Sequence, residues 1–186
     1  MKKILSVFFA LCAFVLLTGQ SAREVEAARV VVLPLVTDTL QLDEEDRHPK
    51  ADYGSFYWKN VADIVKFPAY DLLSDDETNK ALPAEGVKTF DEATFRDIAA
   101  KTNADVVIGM RLDRLNSKMK VGYELVQRIF MRGNFAYYNK LTGIYKNDKI
   151  YNTDDVEYAL IVRSDWRADM FGKEVRNDLR RALNIK

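Results

Sequence analysis

Hydrophobic and polar positions alternate along this chain with a period that changes from segment to segment, and each change marks an element. Residues 4–17 are apolar except for Ser6 and Cys12, and they follow Lys2 and Lys3. Residues 29–36 form a second apolar run, rich in valine, which predicts a strand buried on both faces and ended or bulged at Pro34. Residues 37–50 are polar and acidic and read as a loop. Phe56, Tyr57, Val61, Ile64 and Val65 fall on one side of a helix over residues 53–65, which Pro68 stops. Residues 70–73 predict a short strand, and residues 75–82 a short helix capped by Ser74 or Asp75. Thr89 and Glu92 have the spacing of a capping box. The helix that follows carries Phe90, Ala93, Phe95, Ile98 and Ala99 as its apolar stripe and stops at Asn103. Residues 104–112 are then another buried strand.

Beyond that point the period falls to two. From residue 121 to 137 the odd positions are mostly apolar, while the even ones include Glu124, Arg128, Arg132 and Asn134. This predicts a long half-exposed strand, bent at Gly133. Residues 139–143 make a hairpin turn, residues 144–151 return antiparallel, and residues 156–162 supply a further strand. The helical period resumes after Ser164, the cap of a terminal helix over residues 165–183. Its apolar face is Trp166, Met170, Phe171, Val175, Leu179, Ala182 and Leu183. The expected fold is α/β or α+β: a single mixed sheet with crossover helices, a long antiparallel hairpin and a C-terminal amphipathic helix.

The charged start, the apolar run and a small-residue exit are the parts of a secretory signal peptide spanning residues 1–27, with cleavage before Ala28. Gly19-Gln20-Ser21 offers an earlier exit, and an uncleaved anchor is the alternative. The run is shorter than the roughly 20 residues that cross a bilayer, so no transmembrane segment is expected after cleavage. Cys12, the only cysteine, leaves with the signal and sits wrongly for lipidation. What remains, residues 28–186, is expected to be one α/β domain, held by its core without disulfides, periplasmic or secreted.

Composition mainly excludes. His48 is the only histidine, so a histidine-rich zinc site or a hydrolytic triad has one imidazole at most. The acidic runs Asp43-Glu44-Glu45-Asp46, Asp75-Asp76-Glu77 and Asp154-Asp155 read as solvated loops rather than paired catalytic acids or a calcium loop. Glycine-rich phosphate motifs are missing. Neither catalytic residues, a metal nor a cofactor is expected. Nucleic acid is not expected as a partner, because no basic run is interleaved with aromatics. Residues 38–105 hold twice as many acidic as basic residues, and residues 106–186 reverse the excess, a polarity that can orient a partner.

Two motifs carry a resemblance. Residues 30–35, Val-Val-Val-Leu-Pro-Leu, and residues 99–112, with their Ala-Asp-Val-Val-Ile-Gly core, resemble the small α/β domain of the TolB N-terminal, CsgG and LpoB group of envelope proteins. The resemblance implies that fold, with the first motif as a central strand and the second as a helix feeding a strand. It also implies a role in binding other envelope components. The lipidated cysteine of CsgG and LpoB and the propeller of TolB are not matched. The aromatic-rich hairpin is the natural candidate surface. Phe130 and Tyr138 lie on its otherwise polar face with Arg128 and Arg132, and Trp166 stands beside the terminal helix. The expected function is therefore an exported, non-catalytic binding protein whose partner is an envelope protein or an oligomer mate. The alternatives are a small-ligand or cell-wall-fragment binder with a pocket near Trp166, and a carboxylate-based hydrolase.

Overall fold

Chain direction and strand order together decide where the helices lie. The computed structural model describes residues 26–40, 52–84, 86–87, 89–121, 125–157 and 166–185. Ala28–Val32 (β1) pairs in parallel with Tyr70–Leu72 (β2) on one side and with Val106–Val121 (β3) on the other. Leu125–Asn139 (β4) runs antiparallel to β3, and Ile144–Glu157 (β5) antiparallel to β4. The five strands form one open mixed sheet in the order β2-β1-β3-β4-β5.

The step from β1 to β2 and the step from β2 to β3 go in opposite directions across the sheet. Parallel crossovers are right-handed, so the two connections must lie on opposite faces. Tyr53–Ile64 (α1) makes the first on one face, and Asp75–Ala81 (α2) with Glu92–Thr102 (α3) make the second on the other. Trp166–Ala182 (α4) returns after β5 to lie beside α1. The sheet and four helices give the α+β arrangement the periodicities predict.

Each face of β1 feeds a different core. Val30 and Val32 join Tyr57, Val61, Ile108, Met110, Leu112, Leu115, Ile129, Phe135, Phe171, Val175 and Leu179 beneath α1 and α4. Val31 and Leu33 join Phe95, Ile98, Ala99, Val107, Ala136 and Tyr138 beneath α3. Burial on both faces explains the continuous valine run. Pro34 ends β1 as expected, and the chain touches the sheet once more where Val36 bridges Arg111.

Several expectations shift in detail. The α3 cap is Asp91, whose carboxylate accepts from the Thr94 amide at 2.9 Å; Thr89 instead donates its hydroxyl to Asp91. An aspartate next to the first turn outcompetes a threonine two residues further out, because its carboxylate also complements the helix dipole. The true capping box is at α2, between Ser74 and Glu77. Asn103 closes α3 in the left-handed region, at φ 51°. β5 runs unbroken to Glu157, into the stretch expected as a further strand over residues 156–162; the rest of that stretch, with Ser164 and Asp165, lies outside the described residues. The strand expected to end at residue 112 continues to Val121.

Candidate functional site

The continuation of β3 creates the candidate surface. Between Leu112 and Arg114 the β3–β4 register slips by one residue. A bulge reverses which parity faces which side. Before it the even residues Ile108, Met110 and Leu112 enter the core under α1 and α4; after it Leu115 does. Arg114 and Asn116 are thereby turned to the opposite face, together with the even residues of β4 and the odd residues of β5. Gly133 of β4 sits across from the bulge. A Cβ placed there would lie 2.1 Å from the Arg111 carbonyl oxygen, so the two backbones approach as only glycine permits.

The resulting register sets out rows across β3, β4 and β5: Arg111, Asn134 and Lys149; Arg114, Arg132 and Tyr151; Asn116, Phe130 and Thr153; Lys118, Arg128 and Asp155. Helix α3 covers this face only at its near end, where Phe95 packs edge-on against Tyr145. Over the rows themselves no described helix lies. The Arg114 guanidinium is 5.8 Å from the Phe130 ring centre, and Arg128 makes a two-pronged ion pair with Asp155. Tyr151 is 77 % exposed.

Positive charge dominates. Arg114 stands directly opposite Arg132. Like charges facing each other across strands cost up to about 1 kcal/mol per pair. The Arg114 Nε and the Asn116 Oδ1 are buried without hydrogen-bond partners. Asp155 holds the Arg128 guanidinium above its ordinary range, chiefly through their hydrogen bond. A face that crowds arginines around a ring is suited to carboxylates and aromatic side chains from a partner.

The five residues singled out from sequence separate in the structure. Arg128, Phe130 and Arg132 are neighbours on this face. Tyr138 shares their parity but belongs to the core: it is 6 % exposed, lies under Arg96 of α3 at 4.7 Å, and accepts a hydrogen bond from that guanidinium at 3.0 Å. The strand pattern gives the side correctly but cannot reveal that a helix distant in sequence covers its end. Trp166 opens α4, and its side chain falls outside the described part. Arg114, Asn116 and Tyr151, which share this face, are not singled out by the sequence pattern. The three-residue step from Leu112 to Leu115 within an otherwise alternating run was the available signal for the bulge.

Most of the aromatic residues in this half of the chain are structural. Phe135 and Tyr137 pack together in the core at 6.2 Å, and the Tyr145 hydroxyl donates to the Phe90 carbonyl at 2.8 Å. Tyr123, Tyr158, His48 and the run at residues 43–46 lie outside the described residues. Asp75, Asp76, Asp154 and Asp155 are exposed. Among the described residues no cluster of acidic, histidine or cysteine side chains has the arrangement of a metal site, and no helix is long and apolar enough to cross a membrane.

Two pockets lined by described residues lie away from α4. One, of about 270 Å³, is edged by Arg29, Glu77, Lys80, Lys101 and Thr102; the other, of about 180 Å³, lies beside Leu33, Pro34 and Val87. The only buried carboxylate among the described residues, Asp178, borders neither.

No protein-family model matches the chain, and no curated protein is significantly similar to it. Solved structures do share its arrangement. A homologue of neuraminyllactose-binding hemagglutinin from Helicobacter pylori is 9 % identical, with 89 % of this chain and 86 % of that one covered and a TM-score of 0.50. The hypothetical protein CT253 from Chlamydia trachomatis is 10 % identical over 86 % of this chain and 99 % of that one, at 0.47. The LpoB C-terminal domain from Salmonella enterica is 11 % identical over 72 % and 87 %, at 0.39. At 9 % identity the first of these likenesses is one of fold alone.

Proposed function

We propose that this chain is an exported, non-catalytic protein of the cell envelope that binds another protein through the outer face of β3, β4 and β5. The observation that carries the reading is the set of rows around Phe130. Arginines stand opposite one another, an aromatic ring lies beneath one of them, and an exposed tyrosine flanks the group, with no described helix above. Arginine and tyrosine are the residues that most often anchor protein interfaces, and a rigid sheet presents them without an ordering cost. The charged start and apolar run at the N-terminus, with the pattern of an export signal, support a place in the envelope.

The test replaces the side chains that the face exposes, not Tyr138. Arg132→Glu with Tyr151→Ser changes two outward positions and no core contact. Partner recovery from crosslinked envelopes is expected to fall by at least about tenfold, the effect of losing about 1.4 kcal/mol, at an unchanged melting temperature. Undiminished recovery would overturn the proposed face.

A further inference from the structure

One end of the sheet gathers features that the outer face does not use. Strands β1, β2 and β3 all begin there, β4 ends there and β5 starts there. A line of backbone hydrogen bonds crosses it: Ala28 donates to Ala69 at 3.1 Å, Asp105 to Arg29 at 2.8 Å, and Lys140 to Asp105 at 2.7 Å. At the two ends of this line stand the α1–β2 turn with Phe67 and the β4–β5 turn with Leu141. These side chains are 82 % and 71 % exposed, and Ile144 beside the second turn is exposed as well.

Their exposure is built in. The Asn139 side chain accepts from the amides of Leu141 and Thr142, and Gly143 adopts φ 70°, which fixes the turn and directs Leu141 outward. Each apolar tip follows a lysine, Lys66 and Lys140, and both lysines are exposed. Lys66 faces Asp63 at 3.6 Å, and the Lys140 ammonium donates to the Asn103 side chain. The chain itself enters the sheet at this end, since Ala28 touches the Phe67 turn.

We infer that this end is a contact face for a phospholipid bilayer. Phe67 and Leu141 enter the headgroup region, roughly 15–20 Å apart across the intervening strands, and Lys66 and Lys140 stay at the level of the phosphates. Apolar tips flanked by lysines are the arrangement that sits stably at a membrane interface, with the hydrocarbon stem below and the ammonium in water. In that orientation the long β3–β4 hairpin points away from the membrane and presents the arginine rows to the space beyond. The inference concerns a different surface from the proposed partner face and stands without it.

Three variants of the full chain, Phe67→Trp, Leu141→Trp and Tyr151→Trp, report on it when mixed with vesicles of phosphatidylethanolamine and phosphatidylglycerol carrying brominated acyl chains. Trp58 and Trp166 contribute the same background to each. Bromine is expected to quench the added indole at positions 67 and 141 and to leave that at 151 untouched. Phe67→Ser and Leu141→Ser should each lower the vesicle-bound fraction, by up to about tenfold. Equal quenching at all three positions, or none at 67 and 141, would overturn the inference; the latter is the result expected if a protein covers this end instead.

Discussion

Asp178 is the residue whose chemistry is least at ease. It is 1 % exposed on α4, with one oxygen ion-paired to Arg181 at 2.9 Å and the other without a hydrogen-bond partner. Burial first and the Glu174 carboxylate second push its pKa up to about 7, against the pull of Arg181. The Tyr57 hydroxyl, also buried without a hydrogen-bond partner, is pushed up by burial and by the nearby Asp178 charge. Between the ordinary carboxylate range near 3.8 and about 7, the folded chain keeps a proton that the unfolded chain has released. Stability from this site is therefore complete below pH 4, falls as pH rises through that window, and is lost above about 7. The loss is on the order of 4 kcal/mol at most, at about 1.4 kcal/mol per unit. Asp178→Asn should flatten this slope and make the protein more stable at pH 7.5 than the parent. Urea denaturation at pH 4.5, 6 and 7.5 checks it; parallel slopes for the two proteins would show that Asp178 is ionised in the core. Nothing in the sequence marks this residue, since an aspartate at one position of an amphipathic helix looks solvated until the neighbouring helix is in place.

At the scale of elements, the bulge in β3 and Gly133 opposite it act together. The glycine lets the β4 backbone approach Arg111, and the bulge turns Arg114 and Asn116 onto the outer face. Gly133→Ala forces a backbone shift, because the clash is with a carbonyl oxygen rather than a movable side chain. It should cost about 2 kcal/mol or more, read as a lower denaturation midpoint, and should weaken partner binding as the rows lose their alignment. A neutral effect would show that the strands can separate locally at no cost. The helices, β1 and β4 were legible from period alone. Capping details were less so, because Thr89 and Asp91 both offer an oxygen and only geometry chooses. The far half of β3 was hidden because the polar residues Asp113, Arg114, Asn116, Ser117 and Lys118 interrupt the apolar run that marks its first half. Its pairing with β4 supplies the structure that composition does not announce.

Across the whole molecule, the two halves of the chain differ in charge. The acidic excess of residues 38–105 includes the exposed starts of α2 and α3, at Asp75, Asp76, Asp91 and Glu92, while the basic excess of the second half concentrates on the hairpin rows. Sequence pointed to the hairpin as the candidate surface and singled out Arg128, Phe130 and Arg132, which the strand register sets on one face. It could not show that Tyr138 is roofed by α3, or that Arg114 and Tyr151 complete the group, because both follow from contacts far apart in the chain.

The central claim is that this face is where the protein meets its partner. Site-specific photocrosslinking in intact envelopes tests it most directly, with the reactive group placed at position 132 or 151 and, for comparison, at the exposed Lys173 on α4. Adducts of one discrete size at positions 132 and 151, with none at 173, are the predicted result. Adducts at 173 with none on the hairpin would contradict it.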